Sequence, residues 1–322
     1  MSPEVAEAVG VLREKAILSE GQAAHLLSVA RRELVSVRFE LKALLYGGVL
    51  LLVSGVGLFL KQNQDRIGPA AIASLLAAAA ALCFVFVQRR SPPFSWGASA
   101  SPHVAADYVL LLGVLLVGSD LAYIETQFRL LGPDWAYHLL VLALIALAAA
   151  YRYDSRVVLS LAVTSFAAWR GLSARLPLES VFGDRPGAVR ANALGCAALF
   201  LAAGLVSARA KKKSHFESVF TAFGLLLLFG GLLSGVFQDD SNWLLWEPAA
   251  LAAAAAVITF AYRSRRVFDF AIGTVAGYLA LLRPLWEALK PAGEAFFFVV
   301  AASSLGVLVL LAFVSRSLRR GR

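Results

Sequence analysis

An all-α, polytopic transmembrane helix bundle of about ten spans, with a short N-terminal cytoplasmic helical hairpin, is the fold class this sequence predicts, and three observations predict it. Of 322 residues, 59% are hydrophobic and only 16% charged, and the mean hydropathy is +0.73. Long apolar runs recur along the chain, and the intervals between them alternate between basic and non-basic. Soluble chains carry about 25% charged residues, so too few exist here to coat the two soluble domains that this length would otherwise suggest. With 2 Cys and 11 Pro, disulfide-stapled and collagen-like folds are excluded, and the apolar fraction excludes disorder.

The chain opens on helix-start chemistry. Ser2-Pro3-Glu4 offers a capping hydroxyl, a residue whose missing N–H costs nothing in the first turn, and an acid at the positive dipole end. Val5, Val9, Leu12 and Ala16 follow at helical spacing, and a second start comes at Ser19 with Gln22 in the capping-box position. The sequence therefore predicts a cytoplasmic hairpin over 1–42, read either as a solvated lead-in or as a module that docks a protein partner. No apolar stretch with a small-residue cleavage site precedes the first span, so that span is expected to be a permanent anchor.

A hydrocarbon core about 30 Å thick needs roughly 20 apolar residues per crossing helix. Ten runs qualify: 43–60, 68–87, 105–124, 136–150, 157–169, 188–207, 216–236, 246–262, 267–285 and 292–314. Short basic loops stay on the cytoplasmic side. An inside N-terminus places 21 of the 30 Lys and Arg there, including Arg152, Arg156, Lys211, Lys212, Lys213 and Arg266. The loop 238–247 then lies outside with three acids and no Lys or Arg, and Trp135, Trp169, Trp243, Trp246 and Trp286 sit at the outer interface. The net charge of +9 reads as a topology signal plus attraction to anionic lipid. It does not suggest nucleic acid, because the charge is spread over six cytoplasmic segments without an aromatic-rich soluble domain. The expected location is a bacterial cytoplasmic (inner) membrane, with the bilayer as the first partner and both termini cytoplasmic.

Segments 48–90 and 224–266 share a layout of glycine-rich span, polar loop, alanine run and closing Arg pair. Ala150-Tyr151-Arg152 with Val157 echoes Ala261-Tyr262-Arg263 with Val267, and Leu194-Gly195 with Val206-Ser207 echoes Leu305-Gly306 with Val314-Ser315. The organisation read from this is a hairpin at 1–42, a transmembrane hairpin at 43–90, a four-helix unit at 105–208, its candidate repeat at 216–314 and a basic tail at 315–322. Duplication about an axis along the membrane normal competes with chance similarity among Ala-, Leu- and Gly-rich spans. Glycines at 47, 48, 55, 57, 230, 231 and 235 are read as points of close helix approach.

Leu18-Ser19-Glu20-Gly21-Gln22-Ala23 before a glycine-rich span, Asn63-Gln64-Asp65 after it, Thr126-Gln127-Phe128 and Gly132-Pro133-Asp134 resemble the bacterial membrane proteins grouped as the domain-of-unknown-function 2157 family. Gln64 stands where that family has Trp, and Phe128 where it has Tyr. The resemblance covers about the first 170 residues; it implies a polytopic bacterial membrane protein and brings no activity with it.

Ionisable groups within spans are expensive and mark partners, cavities or pathways. Asp120 falls about 7 Å outward of the middle of the third span at the helical rise per residue. With Tyr123, Glu125, Gln127 and His138 it forms the candidate polar site at the outer leaflet, read either as a ligand or ion site or as a network tying the loop to the bundle. Asp269 is expected to pair with Arg265 or Arg266, and Thr164, Thr274, Ser303 and Ser304 to bond within the bundle. No catalytic, cofactor or metal residues are assigned: the four His lie on separate segments, and no phosphate loop or Gly-x-Ser-x-Gly elbow occurs. Cys83 and Cys196 read as small packing residues. Two functions follow, transport of a small solute or lipid and a non-catalytic scaffold recruiting a partner through the hairpin; an enzyme is not expected. Alkaline phosphatase fused after Asn242 should be active and after Lys212 inactive; the reverse activities would invert the orientation.

Overall fold

The computed structural model describes residues 19–21, 38–97, 104–172, 186–238, 242–290 and 295–320. Among these, ten helices and no strand occur: α1 Arg38–Ile67, α2 Pro69–Arg90, α3 Val104–Phe128, α4 Tyr137–Tyr153, α5 Arg156–Leu172, α6 Pro186–Ala210, α7 Glu217–Gln238, α8 Trp243–Arg263, α9 Val267–Leu289 and α10 Ala295–Arg320. Each overlaps one predicted span. Seven of them, α2, α3 and α6 to α10, are long and apolar enough to cross a membrane, while the apolar parts of α1 (Gly47–Phe59) and α4 are shorter. In hydrocarbon a backbone must satisfy its own polar groups, and the helix does so within one segment. α1 runs on through Asn63, Gln64 and Asp65, where the sequence suggests a loop. Nothing there breaks a helix; the first breaker is Gly68, at φ +83°, followed by Pro69 at the start of α2.

The chain forms two compact units, Met1–Phe59 and Leu60–Arg322. In the first, Glu20 and Gly21 are helical directly after Ser19, as the capping pattern predicts. The remainder of the expected hairpin up to residue 37 lies outside the described residues. Gly47, Gly48, Gly55 and Gly57 meet no described neighbour within 4 Å of an added Cβ, so the close approach expected of them is not made among the described residues.

In the second unit α2–α3, α4–α5, α6–α7 and α8–α9 pack as successive hairpins. The second helix of each also touches both helices of the next, and α9 carries α10. The α4–α5 and α8–α9 turns share one backbone. Ser155 N–H bonds the Ala150 carbonyl at 3.2 Å as Arg266 N–H bonds that of Ala261 at 2.9 Å, each across a left-handed residue, Asp154 or Arg265. These are the positions that the Ala-Tyr-Arg echo aligns.

The most buried span is α7. Its Leu225, Phe229, Leu232 and Val236 form a core with Ala250 and Ala254 of α8 and Ala276 and Ala280 of α9. Small residues permit this, since lipid removes the hydrophobic drive between helices and leaves close packing to hold them. A Cβ on Gly224 would lie 2.8 Å from Leu201 Cγ, one on Gly231 2.8 Å from Leu194 Cδ2, and one on Gly235 2.4 Å from Trp246 Cγ. α10 buries nothing of its apolar stretch, and Phe297, Phe298 and Phe313 are 67%, 74% and 72% exposed, as suits side chains solvated by lipid. Gly235→Ala should cost about 1–3 kcal/mol by overpacking and lower the thermal midpoint in detergent, whereas Gly230→Ala, with open space around it, should leave it unchanged.

Candidate functional site

The helix pattern separates two ends of the second unit. One gathers the α2–α3, α4–α5, α6–α7 and α8–α9 connections and holds Arg90, Arg152, Arg156, Lys211 to Lys213 and Arg263 to Arg266; it is the basic end. The five residues of the candidate polar site lie towards the other end and fall into separate groups. Asp120 Oδ1 and Tyr123 Oη are buried one turn apart on α3 without a hydrogen-bond partner among the described residues. Tyr123 packs on the Ile72, Leu76, Ala80 and Leu116 cluster. Glu125 instead accepts hydrogen bonds from the Leu131 and Gly132 N–H groups at 3.0 and 3.1 Å, holding the loop that follows α3. Gln127 is exposed in the last turn of α3. His138 Nδ1 sits 2.5 Å from the Trp135 carbonyl oxygen and its ring stacks on that indole. No hydrogen bond joins any two of the five among the described residues.

Arginines at this end lie over aromatic faces. Arg190, 6% exposed, lies over Trp246 and donates to the Ser234 hydroxyl at 3.3 Å. Arg170 exchanges two hydrogen bonds with Asn192 across α5 and α6. Within the spans, Thr164, Thr274 and Ser303 donate to carbonyls of the preceding turn, and Tyr278 ties Ser303 and Ser304 of α10 to α9.

The basic end holds a cluster that sequence reasoning misses. Asp154, at φ +62° in the α4–α5 turn, receives Lys213 Nζ at 3.0 Å and His215 Nε2 at 2.6 Å on one carboxylate oxygen. Lys213 is 1% exposed and itself left-handed at φ +50°, a conformation that a bulky residue keeps only when its surroundings fix it. They do fix it. Lys213 N–H donates to the Trp96 carbonyl at 2.8 Å, Ser207 Oγ lies 3.0 Å from the Lys213 carbonyl, and Nζ sits over the Phe94 ring. Tyr153 Oη reaches Gln88 at 2.9 Å and Arg152 the Pro92 carbonyl at 3.3 Å, so three connections are knotted together. A second bridge runs from Arg266 to Glu217 of α7 at 2.5 Å and to Asp269 of α9 at 3.8 Å, as expected for Asp269. The signal in the sequence is slight: Asp154 is the one acid between Arg152 and Arg156.

Between the α4–α5 and α6–α7 hairpins lies a cleft of about 570 Å³ lined by Leu144, Leu147, Tyr151, Phe166, Leu199 and Phe220, with alanines, a valine and Phe200 between them. That volume suits a small-molecule site, yet Tyr151 brings the single hydroxyl of the lining. Beside the polar cluster a cavity of only about 20 Å³, bordered by Arg90, Asp107, Arg152, Asp154 and Lys213, has room for about one water. The cluster therefore has the build of a clamp, and the cleft that of a site for an apolar ligand.

Removing one partner of a buried ion pair costs roughly 3–5 kcal/mol because the other is left uncompensated. Lys213→Met should therefore lower the thermal midpoint strongly, and adding Asp154→Asn, which removes the charge and tolerates the left-handed backbone, should recover part of it in a double-mutant cycle; a loss equal to the sum of the single effects would mean the pair is not coupled.

Residues 11–159 match the model of a family described as "Predicted membrane protein (DUF2157)", the family that the Ser19, Asn63 and Gly132 motifs resemble. No curated protein and no solved structure matches the chain. The chain is a multi-pass membrane protein that over residues 11–159 is similar to DUF2157.

Proposed function

We propose that the chain is a non-enzymatic carrier of a bilayer lipid, seated in a bacterial inner membrane with the basic end and both termini in the cytoplasm. The apolar cleft between the two central hairpins carries this reading. Its lining offers aliphatic and aromatic carbon and one hydroxyl, which suits an acyl chain and gives a polar solute nothing to replace its hydration. Leu144 and Leu199 on its rim are 56% and 51% exposed, so a chain can enter sideways from the surrounding lipid without crossing a polar barrier. A second apolar cleft of about 350 Å³ flanks the other side of α7 between Leu226, Phe229, Phe268 and Leu279. The reading rests on the first cleft and not on the Asp120–Tyr123 pair.

The test uses the full chain in mixed phosphatidylcholine and phosphatidylglycerol vesicles containing a fluorescent, dithionite-quenchable phosphatidylcholine or phosphatidylglycerol, each assayed separately and the faster-moving one taken as the readout. Inner-leaflet fluorescence should be lost several-fold faster than in protein-free vesicles. Ala203→Trp, which fills the cleft, should return the rate towards the protein-free value, while Leu308→Trp on the exposed face of α10 should keep it. A wild-type rate equal to that of protein-free vesicles, or one untouched by Ala203→Trp, overturns the proposal.

A further inference from the structure

We infer that the cleft takes an anionic phospholipid from the leaflet at the basic end, with Arg156 and Lys211 receiving its headgroup. The inference rests on the lipid-carrier reading and adds to it the leaflet and the chemical class of the cargo.

Depth fixes the leaflet. On α4 the lining runs from Tyr151, two residues from the helix end, to Ala143, ten residues from it. At the helical rise these lie about 3 and 15 Å below the basic end. On α6 it runs from Ala203 to Leu199, seven and eleven residues from Ala210, and on α7 it touches Phe220 in the first turn. The cleft thus spans about the half of a 30 Å hydrocarbon core that belongs to one leaflet. Tyr151 stands at its shallow end, where a ring with one wet tip suits the interface.

Charge fixes the class. Arg156 opens α5 two turns above Val163 of the lining, and Lys211 follows α6 two turns beyond Ala203. Both are exposed. The acids that could neutralise them are turned inward. Asp154 is held by Lys213 and His215, and Glu217, one turn from Phe220, and Asp269 are held by Arg266. Asp107 borders the small cavity with Arg90 and Arg152. The internal ion pairs therefore leave the mouth of the cleft with cationic side chains at headgroup height, complementary to a phosphate carrying net negative charge.

The experiment places the full chain in mixed vesicles with either phosphatidylglycerol or phosphatidylcholine bearing a photoactivatable group in the acyl chain, and maps adducts by mass spectrometry. Adducts at Leu144, Leu147 and Leu199 should favour phosphatidylglycerol. Arg156→Gln and Lys211→Gln should each reduce that preference about five-fold, the equivalent of ~1 kcal/mol per cation near an anionic surface, while phosphatidylcholine labelling stays constant and so reports an intact fold. Arg316→Gln, an exposed cation on α10 at the same end, should leave the preference unchanged. Equal cleft labelling by both probes overturns the anionic class and leaves the carrier reading standing. An equal effect from Arg316→Gln reduces the preference to general surface charge and also overturns it. Absence of cleft labelling by either probe overturns both.

Discussion

Close approach of α7 to its neighbours is the constraint from which the rest of the packed unit follows. In lipid, two helices gain nothing by hiding apolar surface, so they associate where backbones come near enough for many weak contacts. Gly224 and Gly231 admit Leu201 and Leu194 of α6, and Gly235 admits the indole of Trp246 from α8. Alanines of α8 and α9 close the third side against Leu225, Phe229, Leu232 and Val236. With α7 so surrounded, α5 and α6 are tied to one flank and α8 and α9 to the other, and α10 leans chiefly on α9 among the described residues. That is why its aromatic face is left to the bilayer.

Salt bridges are kept out of this packed middle and lie at the ends, where the cost of charge is lowest. At the basic end, the α6–α7 connection places Lys213 and His215 on one carboxylate oxygen of Asp154 in the α4–α5 turn, and a salt bridge from Arg266 pins the start of α7 to that of α9. Removing two charges from water is costly, and the attraction between them offsets this only with good geometry and further hydrogen bonds. Lys213 is held at both ends: its backbone N–H donates to the Trp96 carbonyl, and its ammonium lies 3.0 Å from Asp154 Oδ1 as an ion pair. The same arrangement has a functional side. Acids consumed in holding loops cannot neutralise the cations outside them, so the structural pairs sharpen the positive face that the proposed lipid site uses.

The other end is organised on different terms. There Glu125 spends both carboxylate oxygens on loop N–H groups, and arginines lie over tryptophans. Asp120 Oδ1 and Tyr123 Oη face inward there, as does the Arg190–Ser234 hydrogen bond. Sequence position brought five polar residues near one another, but on α3 only Asp120, Tyr123 and Gln127 share a face, Glu125 is turned away to the loop, and Gln127 is exposed in the last turn. Spacing along the chain does not decide which of them share a cavity.

What the sequence by itself determined is the helical class, the order of the helices among the described residues, and the alternation that separates a basic end from the other. These follow from composition and from runs of about 20 apolar residues, both local properties that the bilayer imposes on any chain crossing it. Ser19 as a helix start, the Ala-Tyr-Arg turns and the pairing of Asp269 with Arg266 were legible for the same reason, since each acts within a few residues. Only the tertiary structure decided which glycines meet a neighbour, that Lys213 and His215 converge on a residue some sixty positions earlier, and that the hairpins diverge enough to leave a cleft at Tyr151. Those depend on how far apart helices settle and how they are rotated, which side-chain packing between distant segments sets and no single stretch of sequence encodes.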